Sequence, residues 1–274
     1  MIPVGLGGLT VMKQAIGIFD SGLGGLTVMK QAIKVLPNEN FIYFGDTARV
    51  PYGDKSPETI IRYSFENAAF LLSHNIKLLL VACNTASAYA IKDLQQQFSL
   101  PIVDVIEPAV QQAVQITDNR RIAILGTRAT INSGIYQKRI QEKLPFAEVF
   151  SIACPLLVPL VEENFHSHPA TRMIIQEYLT PLKKQGVDTV ILGCTHYPLL
   201  LELIREKLRD VTLLDSASAC ANAVVEQLEK EKLTTNLITE GKRKYYVSDS
   251  PERFRQVGEN FLGIPIEKVE RRTL

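Results

Sequence analysis

The segments KLLLVACNTASA (residues 77–88) and DTVILGCTHYPL (residues 188–199) decide the fold, because they carry one pattern twice. Each has an apolar run, then a small residue, a cysteine and polar side chains that include threonine. An uninterrupted run of Val, Ile and Leu is typical of a strand that is buried on both faces of a parallel sheet. Each segment therefore predicts a central strand that ends at a cysteine, Cys83 in the first and Cys194 in the second.

Other segments repeat in the same way. PIVDVIEPA and VTLLDSASA are separated by the interval that separates the two cysteines, so that Asp104 corresponds to Asp215. A looser pair is IGIFDSGLG (residues 16–24) and IAILGTRAT (residues 122–130), in which a polar loop follows an apolar run. The repeats predict two similar halves within the chain.

Apolar runs alternate with amphipathic stretches, which predicts βαβ units and a mainly parallel sheet. Predicted helices include Pro57–Ser73 and Leu199–Leu208, whose apolar residues recur at helical spacing. The predicted strands are residues 15–19, 41–45, 77–82, 101–106, 121–126, 147–153, 188–193, 211–215 and 244–248. The expected fold class is α/β, with two pseudo-symmetric domains and a cleft between them.

The repeats also predict where the domains begin and end. We expect a first domain of residues 17–107 plus 215–274 and a second of residues 108–214. Residues 1–16 form a predicted N-terminal extension, because GLGGLTVMKQAI at Gly5–Ile16 recurs identically later in the chain. Only the later copy follows a strand-like run, so we expect the extension to carry no chemistry.

Composition narrows the class of protein. The 30 Lys and Arg residues against 29 Asp and Glu residues give a net charge of +1, without the basic excess typical of nucleic-acid or membrane-surface binding. No apolar run reaches the ~18 residues that a membrane span needs. The four cysteines form no Cys-x-x-Cys pair, which is typical of free thiols in the reducing cytoplasm.

Polar turns follow four of the predicted strands. In open parallel sheets, ligands bind beyond the carboxyl ends of the strands. Two similar halves that face each other would bring Cys83 and Cys194 to opposite walls of one cleft. The turns are Asp20-Ser21, Gly45-Asp46-Thr47, Cys83-Asn84-Thr85 and Cys194-Thr195-His196.

Two opposed thiols suit the inversion of a carbon centre next to a carboxylate. One base removes the hydrogen from one face while the other returns a proton to the opposite face. A thiol serves in both roles, because its unperturbed pKa of ~8.5 lies near the working pH. His196 is the candidate proton partner or orienting group beside Cys194, and Asp20 is the candidate on the other side.

Neighbouring polar residues are candidates for binding the substrate. Asn84, Thr85 and Thr195, together with N–H groups at helix N-termini, are suited to hold a carboxylate. Ser21, Tyr52 and Gly53 are suited to bind the ammonium or other polar ends of the substrate.

Other interpretations of these motifs stay open. Cys83, Cys194 and His196 could bind zinc, but they lack paired ligand spacing and a clear fourth ligand, so we predict no metal. The glycines after residue 20 suggest a dinucleotide loop, but Thr27 stands where its last glycine is needed. Cys154 and Cys220 have no matching partner, and we expect both in the core.

IFDSGLGGLTV, YFGDTARVPYG, VACNTASA and LGCTHYPL resemble, in order and spacing, the signature segments of the glutamate racemases, within the aspartate/glutamate racemase family. The resemblance covers about residues 15–270. It implies cofactor-independent interconversion of L- and D-glutamate, which supplies D-glutamate for peptidoglycan. It also implies that Cys83 and Cys194 are the paired acid and base, with Cys83 facing the D-enantiomer.

The same resemblance implies further site residues and partners. Asp20-Ser21, Tyr52-Gly53, Asn84-Thr85 and Thr195-His196 are then the substrate-binding pairs. Glu162 is a possible auxiliary carboxylate near the second thiol. A homodimer is common in the family, and a cell-wall precursor activates some members, whereas no nucleic acid is required. The alternatives are a racemase of aspartate or a related acidic amino acid, and a non-catalytic amino-acid-binding or inhibitor protein on the same fold.

Overall fold

Residues 14–274 are described by the computed structural model, and strands and helices alternate along them. The strands are β1 (Ala15–Asp20), β2 (Asn40–Gly45), β3 (Ile76–Val81), β4 (Ile102–Asp104), β5 (Arg121–Gly126), β6 (Glu148–Ala153), β7 (Thr189–Gly193), β8 (Thr212–Asp215), β9 (Arg243–Val247) and β10 (Val269–Arg271). The helices are α1 (Leu26–Val35), α2 (Pro57–Leu72), α3 (Asn84–Gln97), α4 (Ile106–Ile116), α5 (Arg128–Asn132), α6 (Ile135–Lys143), α7 (Leu157–Glu162), α8 (Pro169–Leu179), α9 (Leu201–Lys207), α10 (Ser216–Lys230) and α11 (Pro251–Leu262). Short 3-10 helices cover Tyr52–Asp54, Thr180–Lys184 and Tyr197–Leu200.

The strands form two sheets in which every paired strand runs parallel to its neighbour. The first sheet has the order β10-β9-β2-β1-β3-β4 and the second has the order β6-β5-β7-β8. The run β2-β1-β3-β4 repeats the whole order of the second sheet, so β1 corresponds to β5 and β3 to β7. The prediction of an α/β fold with mainly parallel sheets is confirmed.

Burial explains why the central strands read as continuous apolar runs. Every residue of β1 and β3 is buried. Ile16 and Ile18 of β1 face the core that lies between the two sheets, whereas Ala15 and Phe19 point to the opposite face of the first sheet. β6 lies at a sheet edge and has no fully buried residue, as expected for a strand that is covered on fewer sides.

One hydrophobic cluster joins the two halves. It contains Ile16 and Ile18 of the first sheet together with Ile122, Ile124 and Val190 of the second. Helices α4 and α10 pack against each other within this region. The two sheets therefore hold a common core, and the cleft is confined to the ends of the strands.

The equivalent aspartates begin equivalent helices. Asp104 Oδ1 accepts hydrogen bonds from the backbone N–H groups of Ile106 (2.7 Å) and Glu107 (3.1 Å) at the start of α4. Asp215 Oδ1 accepts one from Ala217 N–H (2.9 Å) at the start of α10. The cap explains why the strand predicted at residues 101–106 ends at Asp104, since Val105 already has helical backbone angles.

The structure departs from the sequence predictions at the first residues of β1 and adds one strand near the other end of the chain. The first copy of the duplicated segment lies mostly outside the described residues, yet Ala15 and Ile16, assigned to the extension, open β1, because Ala15 pairs with Asn40 and Ile76. At the other end, β9 and the unpredicted β10 extend the first sheet beyond β2. Within residues 14–274, no helix combines the length and the apolar character that a membrane crossing requires.

Candidate active site

A cavity of about 220 Å³ lies beyond the carboxyl ends of both sheets. Its walls come from the loops that follow β1, β2, β3, β5, β6 and β7. The polar turns in the sequence pointed to four of these loops, those after β1, β2, β3 and β7. Nine of the predicted site residues line it: Ser21, Tyr52, Gly53, Cys83, Asn84, Thr85, Glu162, Cys194 and His196. The two predicted thiols therefore share one cavity, with one contributed by each half.

Cys83 is the N-cap residue of α3 and is 5% exposed. Its Sγ donates to Ser21 Oγ at 3.5 Å. Burial and the nearby Asp20 carboxylate raise the pKa of the Cys83 thiol to about 12, against the opposing effect of hydrogen bonds from Ser21 and Ala86. Cys83 is therefore held as a neutral thiol at pH 7.

Cys194 follows β7 and has a different set of partners. Its Sγ lies 3.9 Å from His196 Nδ1, and His196 Nε2 lies 2.9 Å from Glu162 Oε1, at the end of α7. Burial lowers the pKa of His196, but the contacts with Cys194 and Glu162 outweigh this effect and raise it to about 10. Glu162, in turn, has a lowered pKa despite its burial, because it pairs with His196. An imidazolium thus lies beside the second thiol at neutral pH.

Asp20 and Thr195 lie behind the cavity wall and are not among the residues of the described chain that line it. Asp20 Oδ2 accepts from Gly22 N–H (2.8 Å), and Asp20 Oδ1 accepts from Thr195 Oγ1 (3.5 Å). Burial raises the pKa of Asp20, and the positive charge of His196 partly offsets that rise. Asp20 and Thr195 therefore bond to each other and to the loop after β1, and they do not line the cavity.

The hydroxyl group of Tyr52 is not free to bind substrate. It donates to the carboxylate of Asp46 and accepts from Asn67 Nδ2 at 3.0 Å. Asp46 also accepts from Arg49 Nε (2.7 Å) and from Ser248 Oγ (2.9 Å), so its carboxylate holds this loop together. Tyr52 lines the cavity while its hydroxyl is bonded to Asp46 and Asn67, so any bond that Tyr52 makes to the substrate comes from its backbone.

Three threonines form a hydroxyl cluster that sequence analysis identified only in part. Thr85 Oγ1 lies 2.9 Å from Thr127 Oγ1 and 3.1 Å from Thr130 Oγ1, and the latter two oxygens are 3.0 Å apart. Thr85 and Thr127 line the cavity. The signal for the missed pair was the loop that follows β5, because its segment resembles the loop after β1.

Two exposed ion pairs connect the halves at the opening of the cavity, and we call them the mouth pairs. Arg128 lies 3.1 Å from Asp54, and Arg253 lies 2.7 Å from Glu163. Asp54, Arg128 and Glu163 line the cavity, although each is more than half exposed. Sequence analysis identified none of these four residues, since charged surface side chains carry no pattern of their own.

Cys154 and Cys220 are fully buried, as predicted, and neither lines the cavity among the residues described. Val158 and Pro159 supply an apolar part of the wall beside Glu162. In the described part of the chain, no group of three or more His, Cys, Asp or Glu side chains is placed to hold a metal ion.

Comparison with known proteins places this geometry in context. Residues 21–224 match the family profile described as Asp/Glu/Hydantoin racemase. A glutamate racemase of Geobacter metallireducens is 51% identical over 251 residues, which cover 91% of this chain and 93% of the relative. The crystal structure of Francisella tularensis glutamate racemase in complex with D-glutamate has a TM-score of 0.90 and 38% identity, covering 96% of this chain and 98% of that one.

A third relative was solved with two ligands. The Escherichia coli glutamate racemase structure, in complex with L-glutamate and the activator UDP-MurNAc-ala, has a TM-score of 0.79 and 28% identity. The match covers 95% of this chain and 98% of that chain.

Proposed function

The chain belongs to the Asp/Glu/hydantoin racemase family, and from that premise we propose that it is a glutamate racemase that works through Cys83 and Cys194. The observation that carries the proposal is the position of the two thiols. They follow the equivalent strands β3 and β7 and line one cavity from different halves. A base on each side is what inversion of a carbon centre requires.

The reaction proceeds by one deprotonation and one protonation. The thiolate of one cysteine takes the α-hydrogen of glutamate as a proton, and the electron pair left on carbon delocalises into the adjacent carboxylate. The other cysteine gives its S–H proton to the opposite face of the same carbon. The two cysteines exchange roles when the other enantiomer reacts, so the enzyme needs no electron sink from a cofactor.

The neighbours of the thiols support opposite starting states. The neutral Cys83 thiol is ready to donate a proton. Nδ1 of His196, whose pKa is raised to about 10, lies 3.9 Å from Cys194 Sγ, so a positive charge stands beside that sulfur. A site in this state is prepared to take a proton through Cys194 and give one through Cys83.

Donors for the carboxylates of the substrate come to the cavity from both halves. Asn84 and Thr85 begin α3, where unpaired backbone N–H groups favour an anion. The hydroxyl of Thr127 and the guanidinium of Arg128 come from the other half. A dicarboxylate is therefore a better fit than an amino acid with an apolar side chain.

Racemisation in heavy water tests the proposal directly. We expect purified protein to convert L-glutamate into the racemate, with deuterium entering at the α-carbon, as followed by circular dichroism and by NMR. L-Aspartate is the matched substrate, and faster inversion of aspartate would favour the aspartate racemase alternative. A binding or inhibitor protein would leave the α-hydrogen of both amino acids in place.

The wider role of the enzyme is part of the same proposal. We expect it to act in the cytoplasm, without cofactor or metal, and to supply D-glutamate for peptidoglycan. The E. coli relative binds UDP-MurNAc-ala, so a cell-wall precursor is the activator to test. Activity after dialysis against EDTA tests the absence of a metal requirement, and sedimentation velocity tests the expected homodimer.

A further inference from the structure

A buried tyrosine connects the two thiol-bearing segments. Tyr136 lies in α6, which begins after Gly134, a residue with a positive φ of 65° that L side chains rarely adopt. Its side chain is 2% exposed, and its Oη donates to Asn84 Oδ1 at 2.6 Å. Asn84 comes directly after Cys83, so a residue of the second half is bonded to the first thiol-bearing segment.

The ring of Tyr136 also lies against the strand that leads to the second thiol. A Cβ atom on Gly193 would stand 3.2 Å from Tyr136 Cε2 and 3.0 Å from the carbonyl oxygen of Leu125. Glycine immediately before Cys194 therefore makes room for the ring. This contact gives the small residue of the GCTHYPL segment a physical reason.

The hydrogen bond from Tyr136 determines which way the Asn84 amide faces. Asn84 lines the cavity and is 2% exposed, and its Nδ2 has no hydrogen-bond partner among the described residues. A buried N–H donor without a partner is costly, so such groups in native proteins are usually met by a ligand or by water. Because the Oδ1 side is occupied by a phenol donor, the amide keeps its N–H groups for the cavity.

We propose that Tyr136 is a positioning residue, which holds the Asn84 amide with Nδ2 directed at a carboxylate of the bound substrate. The inference rests on the proposed racemase function. It adds Tyr136, from the second half, to the residues that prepare the cavity for the carboxylates of the substrate. Burial raises the pKa of Tyr136 well above its ordinary value, so the phenol stays protonated and keeps donating at any pH where the enzyme works.

Tyr136→Phe removes one oxygen atom and leaves the ring in place. We expect the KM for both enantiomers of glutamate to rise about tenfold. This factor corresponds to a weakened hydrogen bond between the Asn84 amide and the charged carboxylate of the substrate. The kcat is expected to change by a smaller factor, because the thiols are untouched. Tyr89→Phe is the matched control, since Tyr89 Oη also bridges the halves, to Ala129 O at 2.9 Å, but does not line the cavity.

A double-mutant cycle with Asn84→Ala separates positioning from a structural role. If Tyr136 acts through Asn84, then Tyr136→Phe has no further effect on KM once Asn84 is alanine. The cycle uses both single variants and the double variant, and only the double variant leaves neither buried partner unpaired. Circular dichroism and the thermal midpoint establish that each variant is folded.

The outcomes distinguish the inference from the function it rests on. A wild-type protein that neither racemises nor exchanges glutamate contradicts the proposed function, and the role of Tyr136 with it. Active wild-type protein with an unchanged KM in Tyr136→Phe contradicts the role of Tyr136 alone. So does a rise in KM on Tyr136→Phe that is equal with asparagine and with alanine at position 84.

Discussion

The two thiols occupy equivalent positions in the two halves but have unlike neighbours. Cys83 follows β3 and Cys194 follows β7. These strands take the third place in the matching orders β2-β1-β3-β4 and β6-β5-β7-β8. Around Cys83 the structure places a hydroxyl and the buried carboxylate Asp20, whereas around Cys194 it places the His196–Glu162 pair. The repeated backbone supplies two sulfur atoms, and the side chains place a carboxylate near one of them and an imidazolium beside the other.

In the proposed mechanism, this difference between the surroundings of the two thiols has a chemical use. A reaction with two bases needs one group ready to accept a proton and one ready to donate it. Identical surroundings would leave both cysteines in the same protonation state, and the site would lack either the base or the acid. The two enantiomers of glutamate have equal free energies, so kcat/KM must be equal in both directions whatever the surroundings of each thiol.

Among the substitutions that test this comparison, removal of either sulfur is expected to have the largest effect on the rate of racemisation. Cys83→Ala and Cys194→Ala should each lower racemisation by about a thousandfold or more, since general acid–base groups contribute roughly 10²–10⁴ each. A polarimetric assay with both enantiomers measures the loss. Cys220→Ala is the control, because Cys220 is equally buried but does not line the cavity.

Half-reactions show which thiol faces which enantiomer. Elimination of chloride from a β-chlorinated glutamate needs only the base that takes the α-hydrogen. We expect Cys194→Ala to retain elimination from the D-analogue and Cys83→Ala to retain it from the L-analogue. Racemisation at the wild-type rate in either variant would contradict the use of two bases.

Replacement of Glu162 tests the charged pair that lies beside Cys194. Glu162→Gln keeps the shape of the side chain but removes the carboxylate that pairs with the buried imidazolium of His196. The lost pairing free energy is roughly 1.4–3 kcal/mol. The value of kcat/KM should therefore fall about ten- to a hundredfold. The high-pH limit of activity should move to lower pH, because His196 then loses its proton more easily. Glu163→Gln, at the exposed neighbouring carboxylate, is expected to have a much smaller effect.

The His196–Glu162 pair predicts how the free energy of unfolding depends on pH. The pKa of His196 is raised from 6.5 to about 10 in the folded protein. Between these values the folded state keeps a proton that the unfolded state has lost, so this pair stabilises most below pH 6.5 and its contribution declines as pH rises toward 10. The slope contributed is at most about 1.4 kcal/mol per pH unit.

Urea unfolding of the wild type and of Glu162→Gln, at several pH values within that interval, measures this contribution. The variant should show a shallower loss of unfolding free energy. Equal slopes in the two proteins would mean that the proton on His196 is not held by Glu162.

The mouth pairs should have the smallest effect, because exposed ion pairs contribute roughly 0–1 kcal/mol. If Arg128 attracts the anionic substrate, Arg128→Gln raises KM about threefold or less and Asp54→Asn lowers it. Both effects should vanish at high salt, which screens charges over a few ångströms. Changes in the same direction for both variants would indicate that the pair acts as a latch between the halves.

Sequence patterns predicted the fold better than they predicted the individual contacts. The central strands are buried on both faces and appear as apolar runs, whereas Val269–Arg271 is a short, half-exposed edge strand without that signal. The thiols and their adjacent polar residues were predictable because a repeated motif carries them. The roles of Tyr52 and Tyr136 depend on which partner each phenol reaches, and packing alone determines that partner.

The first sheet is assembled from two distant parts of the chain, and this has a consequence for synthesis. The second sheet is continuous in sequence, from β5 to β8, whereas the first needs β9 and β10 beside β2. Phe261 of α11 also lies against the His196 ring, with centroids 5.3 Å apart. On the ribosome, the strands of the second sheet, at residues 121–215, can therefore all pair before β9 and β10 have been made. Because the first sheet and the ring contact with His196 need this part of the chain, we expect the nascent chain to become active only after residues 243–271 have left the exit tunnel.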